Sequence, residues 1–406
     1  MRVGAKAERS ESRPRAALRE LSGGLGDTGL FVPIAVAMIL LNGLNATTVF
    51  LATGLVYLGT ALYFRVPVPV QPLKAFAAAA IALHLSAEVL AAGALLMAAT
   101  MALLASSGLA EWLAARFPLV LVRGIQASVA LLLAKAAWDL ARKGNWPGLP
   151  PIDPAVGVAM AVGACVLLFA SRALSLPSSL LVLGGGAAVG LAVGGMPHLA
   201  AGPEAVSLSV PRNPGAFGTA LTALVLAQIP LTFGNSVVAT ADAERSYFGL
   251  QARRVRPSRL AGSIAIANTL AGLSGGLPVC HGAGGVTAHY KLGARTAAAT
   301  IATGTIFVVL GLGLGAGLPA LLQVLAPGAL AGMLAFVAIQ HGALAARLEG
   351  LDDRLIAAGV GVLTLLSGNL AIGFAAGTAV LAARAIWRRR QAGLPLVPQP
   401  RGQVVR

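Results

Sequence analysis

The sequence predicts an all-α membrane protein with about 14 transmembrane helices, arranged as two inverted seven-helix repeats with a broken third and tenth helix. Three observations carry this. First, 57% of the 406 residues are hydrophobic and only 11% are charged, with a mean hydropathy of +0.82, against about 25% charged residues in a soluble domain. Second, the basic residues collect on alternate loops. Third, glycine and proline motifs recur at a nearly constant offset of about half the chain.

Apolar segments of spanning length, roughly 17–25 residues, occur at 25–42, 46–64, 72–85, 87–107, 119–139, 154–171, 178–195, 216–241, 259–274, 279–290, 294–317, 325–345, 354–368 and 369–387. The third and tenth are short, and each begins beside prolines. Fourteen segments place both termini on one side. The arginines of RPRAALR and WRRRQ assign that side to the cytoplasm by the positive-inside rule. Arg253, Arg254, Arg256 and Arg259 share one loop on that side, and Lys291 and Arg295 another. Arg65, Arg116, Arg172, Arg347 and Arg354 also fall there, while the outer loops hold little beyond Arg142, Lys143 and Arg212. The expected organisation is a cytoplasmic tail at 1–21, repeats at 22–200 and 201–387, and a second cytoplasmic tail at 388–406. The expected location is the cell (inner) membrane. The first twenty residues show no short apolar core with a small-residue cleavage site, so they read as a tail and not as a signal peptide.

The net charge of +16 does not point to nucleic acid, because the basic residues lie in short loops and at the ends, with no basic face interleaved with aromatics. Two cysteines, Cys165 and Cys280, build no disulfide framework. Cys280, His281 and His289 lack a second ligand pair at matching spacing, so neither a metal nor another cofactor is expected.

The repeat is visible in the residues. Gly26-Asp27 corresponds to Gly234-Asn235 at an offset of 208, and Pro69-Val70-Gln71 to Pro278-Val279-Cys280 at 209. Pro118 corresponds to Pro327, again at 209. Seven helices per half is an odd number, so the second half is inverted in the membrane. Inverted repeats with short, interrupted helices at corresponding positions are the mark of secondary transporters.

In VPVPVQPLKAFAAAAIALHL and GLPVCHGAGGVTAHY an extended, proline-containing piece precedes a helix. Proline suits the first helical turn and forces the residue before it to extend. If inversion relates the halves, two helix N-termini meet near the midplane. Each offers unpaired N–H groups and roughly half a positive charge, which suits an anion. Lys74, in the first turn, opposes its own helix dipole, a position more useful for holding an anion than for structure; the alternative is snorkelling to an interface. Gly282, Gly284 and Gly285 admit a ligand to bare backbone, or serve close helix packing. His281 is either an oxyanion donor and titrating group or a polar residue satisfied by neighbouring backbone. Cys280 reads as a small filler. Asp27, at the position related to Asn235, is a candidate for a coupling proton, with helix capping or pairing to Lys74 as alternatives. For Asp242, Glu244 and Arg245 a structural ion pair is the expectation.

GGLGDTGLFVPIAVA, VPVPVQPLKAFAAAAIA and GLPVCHGAGGVTAHYKLGAR resemble the molybdate transporter family, a branch of the sulfate permease superfamily, and FGNSVVATADAERSYFG resembles its counterpart there. The resemblance runs from about residue 22 to 387. It implies a core of helices one to four and eight to eleven, a gate of helices five to seven and twelve to fourteen, and high-affinity uptake of molybdate, a tetrahedral dianion. Carried over by position, it implies anion-site roles for Gln71, Pro72 and Lys74 in one motif. In the other it implies them for Cys280, His281, Gly282, Ala283, Gly284 and Gly285. The family pattern usually has methionine at Leu73 and Gly-Gln-Tyr at Ala288-His289-Tyr290. Fewer than twenty residues follow Trp387, where typical sulfate permeases carry a soluble domain, which favours the molybdate branch. The resemblance also implies that a homodimer is common for the fold.

Three functions compete. The leading one is a molybdate importer in which core moves against gate. The second keeps the architecture and changes the cargo to sulfate, another oxyanion or a nucleobase. A nucleobase site calls for a carboxylate in the eighth helix, where Asn235 is neutral. The third is a membrane enzyme or scaffold, but no nucleophile–base set or cluster of metal ligands supports it.

Overall fold

A computed structural model describes residues 13–114, 118–143, 153–173, 178–208, 210–346 and 348–392. Among these residues every expected span is a helix. In order the spans are Thr28–Asn42 (reached through a tight turn at Leu25–Asp27), Ala46–Phe64, Lys74–Ala82, Ala87–Ser106, Leu119–Lys143, Pro154–Ala173 and Ser178–Gly194. The second half repeats the set. An eighth helix runs from Pro214 to Arg254, followed by Pro257–Ser274, Ala283–Lys291, Ala298–Leu314, Pro327–Ala345, Leu351–Ser367 and Leu370–Gln391. By length and composition alone, four helices among the described residues are long and apolar enough to cross a membrane: the second, fourth, fifth and eighth.

The packing pattern displays the inversion. The second helix packs heavily on the eleventh and the ninth on the fourth, two contacts that exchange when the halves are swapped. The fifth on the thirteenth and the twelfth on the sixth form another such pair, and the fifth on the twelfth joins equivalent helices. These heaviest contacts join core helices to core helices and gate helices to gate helices. The second and eleventh approach so closely that a Cβ on Gly54 would lie 2.7 Å from the Gly304 carbonyl oxygen. In a membrane, small residues at such crossings let dispersion replace the missing hydrophobic drive. Phe31, Phe50, Tyr57 and Phe307 fill the space beside this crossing, with ring centroids 4.8–6.0 Å apart.

The third and tenth helices have nine residues each. At about 1.5 Å per residue such a helix covers less than half of a hydrocarbon core of about 30 Å. Pro67, Pro69 and Pro72 each lack an N–H and push the preceding residue into an extended conformation. In the second half Gly275, left-handed at φ 68°, ends the ninth helix, and Pro278 follows it. The two extended pieces cross as a short antiparallel pair, β1 (Gln71–Pro72) with β2 (Val279–Cys280), in the register Gln71 to Cys280 and Pro72 to Val279. The helices start after this crossing, slightly later than residues 72 and 279, because those positions are used by the strands.

Three further differences have physical causes. Residues 13–21, expected in the N-terminal tail, belong to a helix, Arg13–Gly24. It is held by the Glu20 carboxylate, which accepts the N–H groups of Arg295 (3.1 and 3.2 Å) and Thr296 (3.3 Å). The fourteenth helix continues through Arg388–Arg390 to Gln391, with these cations in its last turn, where they complement the helix dipole. The eighth helix starts before 216 and runs past 241, and it widens into π-helical turns at Leu221–Val225 and Thr232–Ala239 on either side of Pro230. A proline inside a helix removes one bond and crowds the preceding turn, and π-turns absorb the misfit.

Candidate functional site

The β1–β2 crossing brings the N-termini of the third and tenth helices together. The third helix also packs on the fifth helix of the gate. Gln71 and Cys280, 209 positions apart, are direct strand partners. The repeat offset is also 209, so these equivalent residues face each other and the pseudo-twofold axis passes between them.

Each extended piece is bound to its own repeat by a polar side chain from the preceding helix. Tyr57 Oη donates to the Val70 carbonyl at 3.1 Å. At the equivalent place Asn268 donates through Nδ2 to the Val279 carbonyl at 2.7 Å, and its Oδ1 accepts the Val279 N–H at 3.1 Å. Asn268 thus acts as a third strand for β2. Across the repeats, the Leu73 N–H donates to the Pro278 carbonyl at 3.0 Å. Buried backbone that lacked such partners would cost several kcal/mol per group in hydrocarbon.

Lys74 is buried at 6% exposure, and its Nζ donates to Gln71 Oε1 at 2.6 Å. Both side chains lie against Gly282: a Cβ there would overlap Gln71 Oε1 and come within 2.9 Å of Lys74 Nζ. The cation of one half-helix therefore sits at the start of the other. In the third helix the Phe76 N–H is taken by Gln228 Oε1 at 2.9 Å, while Gln228 Nε2 donates to Thr232 Oγ1 at 2.8 Å. The first-turn N–H groups of Lys74 and Ala75 precede any in-helix partner. In the tenth helix the N–H groups of Gly285 and Val286 return to the Gly282 carbonyl at 2.9 and 3.3 Å. Those of Ala283 and Gly284 remain at the open end. Gly284 is exposed, with nothing within 4 Å of where its Cβ would stand, whereas Gly282 and Gly285 are buried.

His281 lies at the site with its ring turned away from the open space. It is fully buried, with Nδ1 2.9 Å from the Pro69 carbonyl and Nε2 2.9 Å from Ser263 Oγ. A carbonyl carries no hydrogen, so Nδ1 donates and, in the neutral ring, Nε2 accepts from the serine hydroxyl. His289, also fully buried, lies beside the Pro67 carbonyl. His281 and His289 thus both lie against the proline-containing piece of the first repeat. Cys280 is buried against the Pro72 carbonyl at 3.9 Å. Asn235 is half-buried in the π-turn, and the Thr240 hydroxyl bridges its carbonyl (3.0 Å) to that of His281 (2.6 Å). The side chain of Asp27 lies outside the described residues. Glu244 is fully buried and makes no hydrogen bond among the described residues, while Asp242 and Arg245 are exposed. The ion pair expected from these three does not form, because four-residue spacing puts Glu244 on the inward face with Thr240 and Phe248.

Sequence reasoning brought Gln71, Lys74 and the CHGAGG segment together and missed Gln228, Asn268, Thr240 and Ser263. Its available signal was a lone amide in an otherwise apolar helix, as in IAIANTLAG and LAQIPL. Such a residue needs a hydrogen-bonding partner.

With the geometry in place, comparison with known proteins is informative. A family model described as molybdate transporter of MFS superfamily matches residues 19–133 and 220–340, which include both half-helices. Molybdate transporter 2 of Arabidopsis thaliana is 28% identical, over 88% of this chain and 85% of its own length. Molybdate transporter 1 of Arabidopsis thaliana is also 28% identical, over 94% and 92%. So is molybdate transporter 1 of Chlamydomonas reinhardtii, over 91% of each chain. These relatives are transporters and not enzymes. Among solved structures, the transmembrane domain of the cyanobacterial bicarbonate transporter BicA superposes with a TM-score of 0.63 at 16% identity, covering 90% of this chain and 99% of that one. The murine solute carrier 26 family member A9 anion transporter, in its inward-facing state, gives 0.65 at 13%, covering 95% and 74%. Major-facilitator proteins have two six-helix halves related by an axis along the membrane normal, so the superfamily named in the family's description does not fit this architecture. The chain is a multi-pass membrane protein that belongs to the molybdate transporter family and shares the seven-plus-seven inverted-repeat fold of these two anion transporters.

Proposed function

We propose that this protein imports molybdate across the cytoplasmic membrane, with both termini in the cytoplasm. The dianion is held near the midplane between the first turns of the third and tenth helices. The observation that carries this reading is the placement of Lys74 Nζ, bonded to Gln71 and set against Gly282, where two half-helix N-termini meet. A tetrahedral oxyanion takes donors from several directions at once. Here Lys74 supplies the charge, Gln71 orients it, and the N–H groups of Ala75, Ala283 and Gly284 supply directed donors. Pro72, Cys280 and Gly285 contribute backbone shape, His281 keeps the two extended pieces together, and Asn235 borders the cavity from the eighth helix. Asp27 is the proposed coupling group. Movement of the core against the gate would carry the site between the two faces.

Uptake of radiolabelled molybdate by cells or proteoliposomes bearing the protein, with unlabelled sulfate as competitor, tests this. Saturable uptake resistant to a large excess of sulfate is expected. Equal competition by sulfate would assign the site to oxyanions generally, and absence of uptake would reject the reading.

A further inference from the structure

The second and ninth helices touch lightly compared with their other neighbours, and a groove of about 460 Å³ opens between them. Its floor is made by Gly59 and Gly262: a Cβ on Gly59 meets nothing within 4 Å, and one on Gly262 meets only Ala105 at 3.7 Å. Its walls are apolar and open to the outside of the bundle, with Leu55 46% and Ile266 74% exposed. One end is different. Arg259 lines it, and Arg254 donates to the carbonyl of Tyr63, another lining residue, at 2.8 Å. Arg253 and Arg256 lie in the same turn, and among the described residues no acidic one lines the groove.

We propose that this groove is a binding site for an anionic phospholipid, with an acyl chain along the glycine floor and the phosphate on Arg259. On a multi-pass membrane protein an apolar groove open to the side of the bundle faces lipid, and the arginines at one end select negative headgroups. The site is tied to the half-helices through one hydroxyl. Ser263 lines the groove and bonds His281 Nε2, and His281 Nδ1 holds the Pro69 carbonyl. Lipid in the groove therefore braces the serine that fixes the β1–β2 crossing, and its loss loosens that crossing. This does not depend on which anion is transported.

Native mass spectrometry of the full chain in mild detergent, titrated with phosphatidylglycerol or phosphatidylcholine, tests the proposal. The wild type is expected to retain phosphatidylglycerol preferentially. Arg259→Gln should lower that preference roughly fivefold, the effect of one interfacial arginine, while Arg259→Lys keeps most of it. Gly59→Leu, which points into open space and suits a helix, should reduce retention of both lipids. Equal retention of the two lipids by the wild type, or unchanged phosphatidylglycerol retention in both Arg259→Gln and Gly59→Leu, would overturn the proposal. So would disulfide-linked dimers of Gly59→Cys in bilayers, since a second copy would then occupy the groove.

Discussion

Lys74 and Gly282 belong to opposite halves of the chain, yet the ammonium of one sits against the backbone of the other, steadied by Gln71 at 2.6 Å. A lysine in the first turn of a helix works against the helix dipole. Two opposed half-helices double that penalty unless an anion joins them. The arrangement is therefore most favourable when loaded, as a site that must hold and release a dianion requires.

Lys74→Ala should weaken molybdate binding by one charge-assisted hydrogen bond, about 1.5–3 kcal/mol, or roughly tenfold to hundredfold in affinity. Lys74→Arg should also be impaired, because a planar fork cannot take the place of a point charge beside Gln71. Uptake kinetics in membranes, normalised to inserted protein, are the measurement. Wild-type kinetics in Lys74→Ala would remove this residue from the site.

The two glycines of CHGAGG should differ. At Gly282 a valine would overlap Gln71 Oε1 and crowd Lys74, so transport should be lost and thermal stability lowered. At Gly284 a valine meets open space, so stability should be nearly unchanged while the side chain occupies the anion's place. Equal loss of stability in both variants would contradict the open space at Gly284, and normal uptake in Gly284→Val would place the anion elsewhere.

Fourteen spans and their inversion were legible because hydrophobic length, arginine placement and the 209-residue offset are each written locally. The half-helices were legible for the same reason, through Pro67, Pro69, Pro72 and Pro278. Side-chain orientation was not. His281 could be read as a ligand or as a bolt, and only the positions of Pro69 and Ser263, 212 and 18 residues away, show both nitrogens engaged. Asp242, Glu244 and Arg245 cluster in the sequence and read as a structural ion pair, but neighbours in a helix point to different faces. Gln228 and Asn268 act across 152 and 11 residues, on backbone groups whose need for a partner arises only once the crossing has formed.

Gln228→Leu keeps the volume and removes the acceptor of the Phe76 N–H. Leaving a buried donor unmet costs about 1–3 kcal/mol, so the melting temperature in detergent should fall, and added molybdate should restore less of it than in the wild type. Gln228→Glu keeps an acceptor but places a negative charge near the anion. It should weaken binding more than Gln228→Leu does. If neither variant changes the molybdate-induced shift, Gln228 is only a structural cap.

The coupling group is separable by the pH dependence of uptake. His281 has one nitrogen donating to Pro69 and the other bonded to Ser263. A second ring proton would force the serine hydroxyl to turn from donor to acceptor and would leave a full charge buried, which is costly without a partner. His281→Asn should therefore lower stability and maximal uptake while the shape of the profile between about pH 5 and 8, the usual range of histidine, stays that of the wild type. Asp27→Asn should flatten the profile over the same range and leave molybdate exchange at equal concentrations on both sides largely intact, since exchange needs no net proton movement. A wild-type profile in Asp27→Asn together with a flattened one in His281→Asn would move the coupling role from the aspartate to the histidine.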